Sequence, residues 1–233
     1  MRLDKYLAHA NIGTRKEVKQ LIRKGHISIN GEVCRKDDIK INEKEDVVTI
    51  DDEEIYYESV VYIMLNKPQN VVSATMDPVH ETVMDCIDVT IPKDCFPVGR
   101  LDIDTEGLLL ITNDGKLAHQ LLSPKHHVTK TYLAEIAHSL SEKDITRLEN
   151  GTIELDNERI LPASVEVIDE TFIKLHIQEG RFHQVKRMLH AVNNEVISLK
   201  RIAMKTLYLD DSLAPGEWRF LSEEEIRSLK EGL

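Results

Sequence analysis

The sequence has only three cysteines, Cys34, Cys86 and Cys95, among its 233 residues. An odd number of cysteines without Cys-x-x-Cys spacing argues against a disulfide framework or a structural zinc site. The apolar runs, such as residues 108–111, are far shorter than the roughly 20 residues that a membrane-spanning helix needs. Residues 1–5 also lack the apolar segment of a secretory signal. We therefore expect a protein of the reducing cytoplasm.

Low-complexity segments and internal repeats are absent as well. Hydrophobic residues make up 41% of the chain and charged residues 30%, a composition that excludes a disordered polymer. The length allows one large domain, or a small domain joined to a medium one.

Charge is unevenly distributed along the chain. The formal net charge is −11, yet residues 1–40 contain ten Lys or Arg and five Asp or Glu. Residues 41–60 contain eight acidic residues and one lysine. A basic head followed by an acidic connector predicts two modules, 1–58 and 59–233, of which the first faces an anion. The alternative is an ordinary solvated helix face.

The basic head is predicted to contain two short helices and a hairpin. An apolar stripe at helical spacing lies within residues 3–10. The capping box Thr14-x-x-Glu17 begins a second helix, and Asn30-Gly31 marks a hairpin turn. Five cations lie on the polar faces of the second helix: Arg15, Lys16, Lys19, Arg23 and Lys24.

This order of elements is similar to a known RNA-binding module. Arg2-Leu3-Asp4, Thr14-Arg15-Lys16-Glu17 and residues 25–31 resemble the module named after ribosomal protein S-four, the alpha-L motif. A rigid cationic helix face suits the phosphates of structured RNA. We therefore predict that the five cations bind RNA.

In the larger module, strands outnumber helices and do not alternate strictly with them. This pattern favours an α+β fold, a mixed and mainly antiparallel sheet with helices packed on it, over a doubly wound parallel sheet. Strands of this module are predicted at 60–65, 108–112, 130–136, 164–167, 172–177 and 197–202, and a strand predicted at 47–50 completes the small module. Helices are predicted at 116–122, 142–149, 183–192 and 223–230.

One polar loop stands out before an apolar strand. Residues 99–107 read Gly-Arg-Leu-Asp-Ile-Asp-Thr-Glu-Gly, and the apolar strand follows directly. A sheet fixes such groups while the loop exposes them, which suits a functional site. On composition alone, a solvated loop with Asp and Thr in its turns is the more common interpretation.

This loop and three other segments resemble the pseudouridine synthases of the RsuA/RluB type. The other segments are residues 62–69, residues 123–127 with 130–132, and Glu179-Gly180-Arg181-Phe182-His183-Gln184-Val185-Lys186-Arg187-Met188. The match spans nearly the whole chain, with the blocks in the expected order. The usual Gly after Lys-Pro-Gln is replaced by Asn70. The resemblance implies an isomerase that detaches uracil from its sugar in RNA, turns it and rejoins it through carbon 5, without a cofactor or metal.

The resemblance also implies roles for individual residues. Asp102 would be the nucleophile at the anomeric carbon, since a carboxylate suits that centre. Arg181 would orient this carboxylate, and Tyr132 would stack on the released base. Arg100 would fill the gap left by the flipped nucleotide. Asp104 is expected to have only a structural role in the turn.

Four further cations are candidates for contacts with RNA phosphates, although each could be ordinary surface charge. They are Lys186, Arg187, Lys200 and Arg201.

The resemblance points to ribosomal RNA as partner and to a monomer acting on the small subunit. Residues 213–226 favour the branch that modifies uridine 516 of 16S rRNA, with a large-subunit (23S) enzyme of the same family as the alternative. A non-catalytic RNA-binding assembly factor is a further alternative. An aspartyl-phosphate phosphatase fits less well, because its Asp-x-Asp-x-Thr motif follows an apolar strand, whereas here the strand comes afterwards.

Overall fold

The computed structural model describes residues 1–10, 12–43, 45–55 and 60–233. Two compact units are formed, Met1–Val61 with Ile87–Cys95 and Tyr62–Cys86 with Phe96–Leu233. The predicted boundary at residue 58 lies outside the described residues. In the described ranges, no helix combines the length and apolar character needed to cross a membrane.

The N-terminal unit combines two helices with a four-stranded antiparallel sheet. The elements are α1 (Leu3–His9), α2 (Arg15–Lys24), β1 (Ile27–Ile29), β2 (Glu32–Val33), β3 (Val48–Ile50) and β4 (Glu53–Glu54). The order of strands is β2-β1-β3-β4. Its core consists of apolar side chains from both helices and the sheet, among them Leu3, Leu7, Val18, Ile22, Ile27 and Val48.

Local signals in this unit act as the sequence predicts. Thr14 and Glu17 form a complete capping box, because the Glu17 carboxylate accepts from the Thr14 amide at 2.7 Å and the Thr14 hydroxyl accepts from the Glu17 amide. Gly25 ends α2 in a left-handed conformation. Asn30 and Gly31 have φ values of 52° and 83°, as a two-residue hairpin turn requires. The predicted helices and hairpin are confirmed.

The larger unit is built on one nine-stranded sheet. Its strands are β5 (Tyr62–Lys67), β6 (Phe96–Pro97), β7 (Glu106–Thr112), β8 (Lys130–Ile136), β11 (Ser164–Val167), β12 (Phe172–Ile177), β13 (Val196–Met204), β14 (Leu207–Tyr208) and β15 (Trp218–Phe220). The main order is β11-β12-β8-β13-β7-β5-β15, with β14 paired to β13 and β6 paired to β7. A separate hairpin comprises β9 (Glu154–Leu155) and β10 (Glu158–Arg159).

Four helices accompany this sheet: α3 (Gly115–Leu122), α4 (Glu142–Glu149), α5 (Gln184–Ala191) and α6 (Glu223–Lys230). A 3-10 turn covers Pro124–His126. Side chains of α3 and α6 share one apolar core with β5 and β7. The opposite face of β5 and β7 is buried as well, which explains why these strands are almost continuously apolar, whereas burial alternates along β8.

The predicted α+β class is confirmed. Pairing in the sheet is antiparallel except where β13 runs parallel to β7. All predicted helices and strands of this unit are present, with small shifts at their ends. The additional strands have two residues (β6, β9, β10 and β14) or three residues (β15), too few for a periodic pattern to indicate them.

The parallel contact between β7 and β13 depends on Gly107. Gly107 lies opposite Arg201 on β13 and opposite Lys67 on β5. Its φ is +103°, and an added Cβ would lie 2.3 Å from the Arg201 carbonyl oxygen. Only glycine permits this conformation and this approach. The polar loop before β7 is therefore held directly beside β13.

We expect Gly107→Ala to lower the free energy of unfolding of this unit by at least about 2 kcal/mol, because both φ and the contact become unfavourable. Urea denaturation followed by the fluorescence of Trp218, the only tryptophan, measures this change. Gly115→Ala is the matched control, since Gly115 begins α3 and a Cβ there meets nothing within 4 Å. An equal effect of both substitutions would contradict the close-approach explanation.

Candidate active site

Asp102 lies in the loop that leads into β7, and its side chain is 26% exposed. The Thr105 amide donates to the Asp102 carbonyl at 3.0 Å, which closes a tight turn. The Ser73 hydroxyl accepts from the Leu101 amide and donates to the Leu101 carbonyl, both at 3.0 Å. The backbone on each side of Asp102 is thus fixed while its carboxylate remains accessible.

The buried ammonium group of Lys67 also holds this loop. Its Nζ donates to the carbonyls of Pro68 at 2.9 Å, Thr105 at 3.0 Å and Ile103 at 3.5 Å. The Lys67 side chain is fully buried, and burial lowers its pKa to about 8. Because Pro68 directly follows β5 while Ile103 and Thr105 belong to the turn, Lys67 ties the end of β5 to the Asp102 loop.

Asn70 makes a second link between these segments. Its backbone amide donates to the Ile103 carbonyl at 2.8 Å, and its φ is +66°. Asparagine tolerates this left-handed conformation better than most residues. Asn70 can therefore occupy the position where the resemblance predicted glycine.

The closest charged and polar partners of Asp102 come from the start of α5, where His183 is the N-cap and Lys186 lies in the first turn. Within the described ranges, its carboxylate lies 3.3 Å from Lys186 Nζ and 3.6 Å from His183 Nε2. Lys186 Nζ also lies 2.5 Å from Asp104 Oδ1. The hydrogen bond from Lys186 lowers the pKa of the Asp104 carboxyl. Lys186, predicted to contact phosphate, thus bridges both carboxylates, and Asp104 is an exposed ion-pair partner.

Arg181 lines the same pocket as Asp102 but has other partners. Its guanidinium lies 2.9 Å from Glu158 Oε2 and 3.5 Å from Glu179 Oε2. It also donates to the carbonyls of Leu155 and Arg159. The expected Arg181–Asp102 ion pair is absent from the contacts between described residues, and the orienting role of Arg181 stays a prediction.

Tyr132 is on β8 and is 8% exposed. It lies opposite Arg201 of β13, and Lys130 precedes it by two residues on the same face of the strand. Arg201 differs from the expectation of a surface cation, because it is 1% exposed and its Nε donates to the Leu108 carbonyl at 2.7 Å. Burial lowers the pKa of Lys130 to about 8, and the nearby Arg201 contributes to the decrease.

These side chains surround one cleft of about 780 Å³, called here the Asp102 cleft. Its lining includes Arg100, Asp102, Lys130, Tyr132, Arg181 and Arg201. Arg100 is exposed at its rim, and exposed Phe182 stacks on the His183 ring. The structure therefore brings the predicted catalytic residues together at one place.

The other predicted phosphate contacts are at separate positions. Arg187 forms a two-pronged pair with Asp156 at 2.8 and 2.9 Å, and Lys200 is half-buried on β13. The sequence predicts that Lys67 shapes the end of the first strand of the larger module, but it does not predict roles for Lys130 and His183. The signals for these two residues were weak: a lysine two residues before Tyr132, and a histidine three residues before Lys186.

A basic groove lies on the N-terminal unit. It is lined by cations of both helices and their flanks, Arg2, Lys5, Arg15, Lys16 and Lys19, together with Met1 and Asp4. Asp4 is 4% exposed and accepts from Arg2 Nε and Nη2, both at 3.0 Å. The remaining predicted cations, Arg23 and Lys24, are exposed in the last turn of α2.

Comparison with known proteins identifies the family. Residues 61–191 match the RNA pseudouridylate synthase family, and residues 1–48 match the S4 domain. The chain belongs to the RNA pseudouridine synthases. The predictions of this family and of an S4-like module are confirmed.

Individual relatives are similar over nearly their full length. The uncharacterized RNA pseudouridine synthase YtzG of Bacillus subtilis (strain 168) is 46% identical, with 99% of both chains covered. The ribosomal small subunit pseudouridine synthase A of Yersinia pestis is 42% identical, with 98% of both chains covered. A crystal structure of a pseudouridylate synthase superposes with a TM-score of 0.70 at 37% identity, covering 98% of this chain and 99% of the other.

Replacing buried Lys130 should make this synthase more stable. The pKa of Lys130 is about 8 in the fold, below the ordinary lysine value of 10.5, so below pH 8 a buried charge opposes folding. We expect Lys130→Met to raise the free energy of unfolding by about 1–3 kcal/mol at pH 7. The gain should shrink as the pH rises from 8 towards 10.5, where the unfolded wild type binds more protons than the folded state.

Urea denaturation at several pH values measures this difference. Lys116→Met, the same substitution at an exposed position of α3, should change stability little at any pH. A Lys130→Met variant less stable than the wild type at pH 7 would contradict the expected cost of the buried ammonium.

Proposed function

We propose that this pseudouridine synthase isomerises one uridine of small-subunit ribosomal RNA, with Asp102 as the nucleophile. The strongest support for this proposal is that Asp102, Tyr132 and Arg181 line the same cleft. The similarity to small-subunit synthases along the whole chain supports the choice of RNA. Uridine 516 of 16S rRNA is the proposed target.

The proposed reaction begins at the anomeric carbon of the flipped nucleotide. The Asp102 carboxylate bonds to C1′ as the bond from C1′ to N1 breaks, as in glycoside chemistry. The free base turns, C5 bonds to C1′, and the carboxylate is released. C5 loses a proton and N1 gains one, so the product is an isomer of the substrate. Lys186 and His183 hold the carboxylate in place before the substrate binds.

The other predicted residues act around this centre. Tyr132 stacks on the base from its buried position on β8, and exposed Arg100 at the rim fills the gap in the RNA stack. Arg181 orients Asp102 once the bound RNA has displaced its present carboxylate partners. In this proposal Arg181 therefore exchanges partners during binding.

The basic groove of the S4 domain supplies contacts with RNA phosphates. Arg15, Lys16 and Lys19 line this groove, while Arg23 and Lys24 extend the cationic surface along α2. Lys200 and Arg187 are candidates for further contacts in the larger unit. A monomer acting in the cytoplasm is the assembly and location that we propose.

Substituting the nucleophile tests the chemistry and the choice of RNA together. We expect Asp102→Asn to lower the single-turnover rate at least about 10³-fold, since the amide keeps the shape but not the nucleophilicity. Asp104→Asn should change the rate less than about tenfold, because an exposed ion pair contributes little. Tritium release from 16S and 23S rRNA labelled at C5 of uridine measures the rates of both variants.

Equal losses in the two variants would contradict the assignment of Asp102. Tritium release from 23S rRNA alone would support the alternative of a large-subunit enzyme. RNA binding by the wild type without tritium release would instead support a non-catalytic assembly factor.

Charge removal in the S4 groove should change the salt dependence of RNA binding. Each phosphate contact contributes roughly 0.7–0.9 to the slope of log affinity against log salt, so Arg15→Met with Lys16→Met should reduce it by about 1.4–1.8. Binding of 16S rRNA at several salt concentrations measures this slope. The control pair is Lys116→Met with Lys143→Met, at exposed positions of α3 and α4. An unchanged slope in the first pair would show that the basic face only contacts solvent.

A further inference from the structure

Two cations lie in the floor of the Asp102 cleft without a role in the mechanism above. Lys130 is 6% exposed and Arg201 is 1% exposed, and both line the cleft. They flank Tyr132, since Lys130 is two residues away on β8 and Arg201 is its partner on β13. Two buried positive charges are therefore adjacent to the ring that is proposed to stack on uracil.

The hydrogen bonds that Lys130 and Arg201 make to described residues leave donors available. Lys130 Nζ donates to the Val128 carbonyl at 3.2 Å, although an ammonium group has three protons to donate. Arg201 Nε donates to Leu108, but the buried Nη2 atom has no hydrogen-bond partner in the described part of the structure. Buried polar groups are normally satisfied, so this exception needs an explanation.

One acidic side chain accompanies the two cations. Glu179 raises the pKa of Lys130 against the effects of burial and Arg201. However, Glu179 Oε1 already accepts from the Leu161 amide at 3.0 Å and from Gln184 Nε2 at 2.9 Å. Its Oε2 lies 3.5 Å from Arg181 Nε. The cluster of Lys130, Arg201 and Glu179 keeps a net positive charge facing the cleft.

We propose that Lys130 and Arg201 bind the uracil while it is detached and stabilise its negative charge. This inference rests on the proposed function. When the bond from C1′ to N1 breaks, the electron pair goes to N1, and the resulting uracilate shares its charge with the ring oxygens. Donors of Lys130 and Arg201 hydrogen-bond to those oxygens without transferring a proton. Their contribution ends when C5 bonds to C1′, C5 loses its proton and N1 gains one.

Burial favours the base over an RNA phosphate as the anion. RNA phosphates remain at the surface of the complex and suit exposed cations, such as those of the S4 groove. The flipped base is the part of the substrate that enters a pocket. In a site from which water is excluded, fixed positive groups stabilise developing charge far more than they do in water.

Kinetics of Lys130→Met on two substrates test this proposal. The substrates are 16S rRNA with uridine or with 5-fluorouridine at the target position. We expect the single-turnover rate with uridine to fall about 10²-fold, with the Kd for RNA within about threefold of wild type. The loss should be smaller with 5-fluorouridine, because fluorine withdraws electrons and makes the detached base a weaker base. Chromatography of nuclease digests measures loss of the starting nucleoside.

Two further variants keep the test decisive. Lys116→Met, at an exposed position, is the matched control and should leave the rate and the Kd unchanged with both substrates. Arg201→Gln keeps a donor near Leu108 but removes the charge. Its single-turnover rate should therefore also fall more with uridine than with 5-fluorouridine. Circular dichroism and Trp218 fluorescence establish that each variant is folded.

Each other outcome overturns the inference. A wild-type rate in folded Lys130→Met and Arg201→Gln would show that the cations do not act on the reaction. A higher and more salt-dependent Kd for RNA with an unchanged rate would show that Lys130 and Arg201 bind a phosphate. Equal losses with both substrates would show that leaving-group charge is not what they stabilise. An inactive wild type would instead refute the proposed function, on which the inference rests.

Discussion

The close parallel approach of β7 and β13 at Gly107 is the constraint on which the active site depends. β7 is preceded by the Asp102 loop, and β13 pairs on its other side with β8, which carries Tyr132. A side chain at position 107 would collide with the backbone of Arg201. The distance between the proposed nucleophile and the proposed stacking aromatic is therefore determined by backbone contacts rather than by flexible side chains.

Buried polar contacts stiffen the loop that this pairing positions. The ammonium of Lys67 joins three carbonyls, and the amide of Asn70 joins a carbonyl of the same loop. Burial of such a charge opposes folding, and the lowered pKa of Lys67 expresses that cost. A fixed backbone around Asp102 reduces the reorganisation needed during the reaction. The fixed geometry around Asp102 therefore comes at a cost in folding free energy.

Positive charge has three different environments in a chain that is acidic overall. Lys5, Arg15 and Lys16 of the S4 groove are exposed and available to a polyanion, whereas Lys186 and Arg187 are neutralised by neighbouring carboxylates. Lys130 and Arg201 are buried at the floor of the cleft, where Arg201 Nη2 has no hydrogen-bond partner among the described residues. Net charge alone therefore says little about RNA binding, because accessibility and pairing decide which cations can act.

The sequence by itself determined the longer helices and strands, the fold class and the family. Capping at Thr14 and the Asn30-Gly31 turn are local, and the apolar β5 and β7 strands follow from short-range patterns. Tertiary structure decided the partners: Lys186 rather than Arg181 lies beside Asp102, and Arg201 is buried instead of exposed. These contacts join residues that are distant in sequence, and their geometry depends on strand register and close packing. No local pattern encodes which of several similar cations occupies a given place.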